Sequence, residues 1–101
     1  RVLERIEAAP GMAPGLKELA DAACLSEFHF VRMFKASFGL SPYAWVMRRR
    51  LALARELLAR DRLSLQQVAE RAGYAHLSHL NAALRGAGLA SAARYRRAAA
   101  G

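Results

Sequence analysis

The chain has 101 residues, enough for one domain or two very small ones sharing a connection, with a modest core. Ala, Leu and Arg dominate, and only four valines and one isoleucine, with no threonine, argue for helices and against a sheet. The formal net charge of +8 points to a polyanion as partner, the single cysteine excludes an internal disulfide, and no apolar run approaches transmembrane length.

Residues Val2 to Ala9 read as a short helix with Val2, Leu3 and Ile6 inward, broken by "PGMAPG". "LKELADAAC" follows, with Leu16, Leu19, Ala20 and Ala23 at i, i+3, i+4 and i+7. A short turn through Cys24 and Leu25 leads to Ser26, a good N-cap. The helix from Ser26 puts Phe30, Met33, Phe34 and Ser37 on one face, and Phe28, Arg32 and Lys35 on the opposite one. Gly39 suits the left-handed residue that ends it. Ser41 and Pro42 then open a long helix to about Arg60, with an apolar stripe of Tyr43, Met47, Leu51, Ala54, Leu57 and Leu58.

The pattern now recurs. "SLQQVAERAGY" opens with Ser64 and Gln67 in a capping box, and Leu65, Val68, Ala69 and Ala72 repeat the earlier spacing. Leu16 matches Leu65 and Cys24 matches Gly73 at a fixed offset. In "HLSHLNAALRGAG", Leu80, Ala83 and Leu84 match Phe30, Met33 and Phe34 with one residue added in the turn. A last helix, about Ser91 to Ala99, carries "RYRR". The expected fold is all-α, about seven helices: a first helix-turn-helix unit (1–41), a linking helix (42–60) and a second unit (61–101) acting as one domain. Two copies are too few for a solenoid.

Charge follows the repeat unevenly. Three basic and five acidic residues lie before Phe28; thirteen basic and three acidic residues follow from it on. The chain opens at Arg1, inside an expected helix and without an initiator Met, and reads as a piece of a longer protein.

These features resemble the DNA-binding domain of AraC/XylS-type transcription regulators over nearly the whole chain. The first half carries "LKELADAACLSEFHFVRMFKASFGLSPYAWV" and "RRLALARELL"; the second carries "SLQQVAERAGYAHLSHL" and "RYRR". In the family's pattern for the second repeat, Gly73, Ser78, Arg85, Tyr95 and Arg96 match. Tyr74, Leu80 and Leu84 stand for phenylalanines, Ala82 for an Arg and Ala92 for a Pro, and Gly88 and Leu89 occupy the places of an aromatic and a Gly. The apolar replacements keep the core, while the loss of Arg at position 82 weakens the second unit as a reader.

The resemblance implies that segments 26–38 and 76–86 are recognition helices in successive major grooves. It implies base-reading positions at Glu27, Phe28, Val31, Arg32 and Lys35 on the first, and at His76, Leu77, Ser78, Asn81 and Ala82 on the second. Arg32 suits a guanine edge or a phosphate, Lys35 a phosphate, Asn81 adenine, and Phe28 and Val31 thymine methyls or sugars. Backbone contacts are expected from Ser26, Lys35, Arg48, Arg49, Arg85, Arg94, Arg96 and Arg97, with Arg50 kept for a structural role. A linking helix of about 18 residues would span about 27 Å, against ~34 Å between successive grooves. The implied partners are double-stranded DNA, RNA polymerase at an activated promoter, and an N-terminal ligand-sensing or dimerising domain. The implied setting is the bacterial cytoplasm.

No cofactor or metal is expected. His76 and His79 have no Cys or acidic neighbour to complete a metal site, and no catalytic set stands out. Some DNA-repair methyl-transfer proteins use nucleophilic cysteines beside such helix-turn-helix units, but Cys24 is expected as a packed thiol. The rival reading is a protein-interaction module whose degenerate second repeat docks on a partner, with DNA touched by the first unit only or not at all.

Overall fold

The computed structural model describes residues 15–60 and 62–100. Six helices run through them: α1 (Leu16–Ala22), α2 (Glu27–Phe38), α3 (Pro42–Arg60), α4 (Leu65–Arg71), α5 (Leu77–Gly86) and α6 (Ala92–Ala100). The all-α expectation holds, and the expected helix at Val2 to Ala9 lies outside the described residues. The chain divides into two compact units between Arg49 and Arg50, inside α3, and residues of the linking helix lie in the core of each.

The helix starts follow their caps. Ser26 Oγ accepts the N–H of His29, Ser41 Oγ that of Ala44, and Ser64 forms the full capping box with Gln67. His76 precedes α5 without a side-chain cap; the N–H of Leu77 donates instead to Gln66 Oε1 at 3.1 Å.

The turn inside each unit is a single device used twice. After α1 the N–H of Leu25 donates to Ala20 O and that of Cys24 to Asp21 O. After α4 the N–H of Tyr74 donates to Ala69 O and that of Gly73 to Glu70 O. These are Schellman closures, and both need a left-handed residue between helix and turn. Cys24 supplies φ +60 and Gly73 φ +99, so the match between them in sequence is a match in backbone. The closure recurs after α5, where Gly88 has φ +78 and Leu89 N–H reaches Leu84 O. Gly39, at φ +79, ends α2 as expected.

The first unit buries Leu19, Ala20, Phe30, Phe34 and Val46. Two expectations change here. Met33 is 56% exposed, and Phe38, though 43% exposed, packs its ring 4.6 Å from Phe34 and 5.9 Å from Trp45. The apolar stripe of α2 therefore runs Phe30, Phe34, Phe38 at steps of four, because Trp45 of α3 supplies the opposing ring. Tyr43, expected in the stripe of α3, is 73% exposed, since that end of α3 turns Val46 and Trp45 to the core.

The second unit buries Ala54, Leu57, Leu58, Val68, Ala69, Ala72, Tyr74, Leu80, Leu84 and Ala92. Its aliphatic composition matches the leucines that replace rings in the second repeat. Tyr74 is the exception: its hydroxyl is buried with no hydrogen-bond partner among the described residues, and burial pushes its pKa up, against a smaller lowering by Arg50.

Helix α6 is fastened to the end of α3. Arg96 Nε donates to Leu58 O at 3.2 Å and its Nη1 to Leu63 O. Leu58 lies in the last turn of α3, whose carbonyls have no partner inside the helix. Arg55 Nε donates to the Tyr95 hydroxyl at 3.0 Å. Arg96, expected at the DNA backbone, is half-buried, and two of its guanidinium N–H groups are engaged by main-chain oxygens.

Three stability outcomes follow from this packing. Replacing Cys24 by Gly relieves a left-handed residue that carries a Cβ and stabilises the fold by about 1 kcal/mol, whereas Gly73→Ala destabilises by about 1–2 kcal/mol; urea unfolding reads both. Tyr74→Phe removes an unpaired buried hydroxyl and stabilises by about 1 kcal/mol near pH 7. Burial holds the phenol's pKa in the folded state above the ordinary value at which it ionises in the unfolded chain. The wild type therefore loses further ground to Tyr74→Phe as pH rises above about 10, which thermal melts across that window detect. Arg96→Ala strands two carbonyls and costs about 2–3 kcal/mol of stability.

Candidate nucleic-acid interface

α2 is held by its cap and by the ring stack beneath it, and this leaves its other face outward. Glu27, Phe28, Arg32 and Lys35 are exposed, and Val31 is half-buried. Glu27 sits in the first turn, where a carboxylate suits the helix dipole. Phe28 is 66% exposed, which an apolar ring on a solvated face does not favour. The Arg32 guanidinium lies over it, 5.5 Å from the ring centre, and His29 meets its edge at 5.9 Å. The aromatic ring thus supports the cation and holds it toward the start of α2. Phe28 does not pack into the core of its unit, and Arg32 forms no ion pair among the described residues.

Ser26 has its oxygen engaged as the cap, and His29 Nδ1 lies 3.1 Å from the same atom. A phosphate contact by Ser26 would therefore share an oxygen that already caps the helix and lies against that imidazole.

α5 presents a different face. His76 and Ser78 are exposed, Leu77 is half-buried, and Ala82 offers only a methyl group outward. The His76 and His79 rings meet edge to face at 5.2 Å. Among the described residues, no group of three or more metal-ligating side chains includes them. Asn81, expected to pair with adenine, is half-buried, and its Oδ1 accepts the N–H of Ala92 at 2.8 Å. The two faces therefore differ at the expected base-reading positions: Phe28, Arg32 and Lys35 on α2, against Ser78, the engaged Asn81 and Ala82 on α5.

Elsewhere in the first unit Arg48 and Arg49 on α3 are exposed, and in the second unit Arg85 on α5 and Arg94 and Arg97 on α6. Arg50, for which a structural role is expected, is half-buried, and its charge lowers the Tyr74 pKa against the larger effect of burial. Cys24, expected as a packed thiol, is exposed, because the left-handed turn lifts it off the core. The residues missed in the sequence are those that join elements: Gln66 at the start of α5, Arg55 with Tyr95, and Asn81 with Ala92. None carries a periodic signal; only the unsupported N-terminus of α5, which starts at a residue that does not cap, hinted at a donor-seeking partner.

The helix-turn-helix domain family matches residues 19–98. The chain is 37% identical over 68 residues to the probable transcriptional regulator LumQ of Photobacterium leiognathi, covering 67% of this chain and 27% of that protein. The chain spans about a quarter of the length of the curated relatives it matches. Among solved structures, the DNA-binding domain of AdpA, determined in complex with a target DNA, superposes with a TM-score of 0.89 at 28% identity, covering 96% of this chain and 87% of that one. An AraC-type regulator of Chromobacterium violaceum shares the fold, with a TM-score of 0.85 at 22% identity over 98% of this chain and 88% of that one. By the extent of the match and the duplicated turn geometry, this chain belongs to the AraC type of helix-turn-helix domain.

Proposed function

We propose that this chain binds double-stranded DNA sequence-specifically, as the DNA-binding part of a bacterial transcription regulator, with α2 and α5 each entering a major groove. The observation that carries this reading is the outward cluster of Phe28, Arg32 and Lys35 on the helix that follows a Schellman turn. Its likeness to the AdpA domain, whose structure holds a target DNA, supports the same partner. The family is one of regulators rather than enzymes, and no residue is assigned a catalytic role.

Each side chain then has a task that its chemistry allows. Arg32, fixed by the Phe28 ring, offers two parallel donors to guanine O6 and N7. Val31 and the free rim of Phe28 meet thymine methyls, and Glu27 accepts from a cytosine amine. Lys35, Arg48, Arg49, Arg85, Arg94 and Arg97 neutralise phosphates, with Ser26 as a further candidate. His76, Leu77 and Ser78 line the corresponding part of α5. The chain covers about a quarter of its relatives' length, so a separate ligand-sensing or dimerising domain and RNA polymerase belong to this proposal for the whole protein, acting in the cytoplasm.

Selection of bound sites from random duplex DNA tests the reading. It predicts a recurrent short motif containing a G·C pair read by Arg32. On that motif Arg32→Ala costs about 1–3 kcal/mol and relaxes the preference at one position. Affinity falls steeply from about 50 to 200 mM salt, with a log–log slope near −0.9 per phosphate neutralised. Recovery of no motif, together with binding indifferent to salt, would contradict the proposal and favour a protein partner.

A further inference from the structure

We infer that Asn81 is the anchor of α6 on α5 and not a base reader, so that the second recognition helix carries no adenine-reading amide. This deepens the DNA-binding reading and rests on it for the second half of the claim only.

An amide reads adenine with both of its ends, the oxygen accepting from N6 and the nitrogen donating to N7. In Asn81 the oxygen is already committed. It accepts the Ala92 N–H at 2.8 Å, in a part-buried setting, which points the amide oxygen at the start of α6. Turning that plane to a groove would leave the Ala92 N–H without a partner. Ala92 is fully buried, at the first position of α6, where helix N–H groups have no acceptor within the helix. The neighbouring cap does not replace Asn81, since Ser91 Oγ faces the N–H of Arg94 at 3.4 Å. A buried donor left unpaired is costlier than an average hydrogen bond is favourable, so the anchored state prevails.

The pairing also explains a residue that helix rules make unexpected. Proline suits the first helical position because its missing N–H is an orphan there in any case. Here that N–H has work to do, and alanine supplies it. What remains outward on α5 is Ser78, Ala82 and Arg85, with the paired imidazoles at the start of the helix. Of these, a methyl group and a hydroxyl that serves as donor or acceptor discriminate bases poorly, and Arg85 is kept for a phosphate.

The test compares wild type, Asn81→Ala and Asn81→Asp on the selected duplex and on all its single-base variants, alongside thermal melts without DNA. Asn81→Asp keeps an acceptor for Ala92 and places it where the helix dipole favours negative charge. The expected result is a Tm for Asn81→Ala lowered by about 4–8 °C, and a Tm for Asn81→Asp at or near wild type. Relative affinities across the duplex panel stay the same for all three proteins, with any loss in Asn81→Asp uniform across sequences. An unchanged Tm in Asn81→Ala overturns the anchor. A preference for one A·T pair that collapses by about 5- to 150-fold in both variants overturns the claim that Asn81 does not read. A wild type with no base preference at all sinks the DNA reading itself, while the melts still decide the anchor.

Discussion

The structure turns on a backbone constraint at two points, the left-handed residue between the helices of each unit. A helix ending in a Schellman closure sends the chain off at a fixed angle after two residues, and the next helix can start almost at once. Cys24 and Gly73 hold that conformation, and each is followed by a side chain, Leu25 or Tyr74, that returns to the core. The core contacts of α1 with α2 and of α4 with α5 follow from the same geometry. So does the exposure of the outer faces of α2 and α5, because each helix buries only the narrow stripe its partner can reach: Phe30 and Phe34 in one, Leu80 and Leu84 in the other.

Duplication of the turn did not keep the two units alike. The first packs rings, Phe30, Phe34, Phe38 and Trp45, and exposes Lys35 and, over the Phe28 ring, Arg32. The second packs leucines and alanines, and secures its last helix with polar contacts from Asn81, Arg55 and Arg96. Those contacts use side chains that a basic, Arg-rich composition would otherwise offer to a polyanion. Net charge therefore overstates the number of groups free to meet a phosphate: Arg96 is engaged with main-chain oxygens, while Arg94 and Arg97, on either side of it, remain exposed.

Much of this was legible in the chain. The caps at Ser26, Ser41 and Ser64, the end at Gly39 and the equivalence of Cys24 with Gly73 all depend on local rules, and local rules act within a few residues. The outward position of Phe28, Arg32 and Lys35 followed from helical spacing alone. The errors lie where spacing leaves a choice that a distant residue makes. Met33 and Phe38 are both near the apolar edge of α2, and Trp45 decides between them. Tyr43 has stripe spacing but sits a turn before the residues that reach the core. The contacts of Arg96 and Asn81 were not legible either, since both have ordinary exposed-residue chemistry and their partners, Leu58, Leu63 and Ala92, lie far off in sequence.

The claim on which the functional account stands is that α2 enters a duplex by the face bearing Phe28 and Arg32. Titrating isotopically labelled protein with a short duplex carrying its preferred site, and following backbone amide resonances, tests it most directly. The account predicts that the largest shifts fall on residues 26–35, with the buried stripe of Phe30 and Phe34 moving less than Phe28 and Arg32. Saturable binding with those amides unmoved, and the shifts gathered on α1 or the core side of α3, would contradict it.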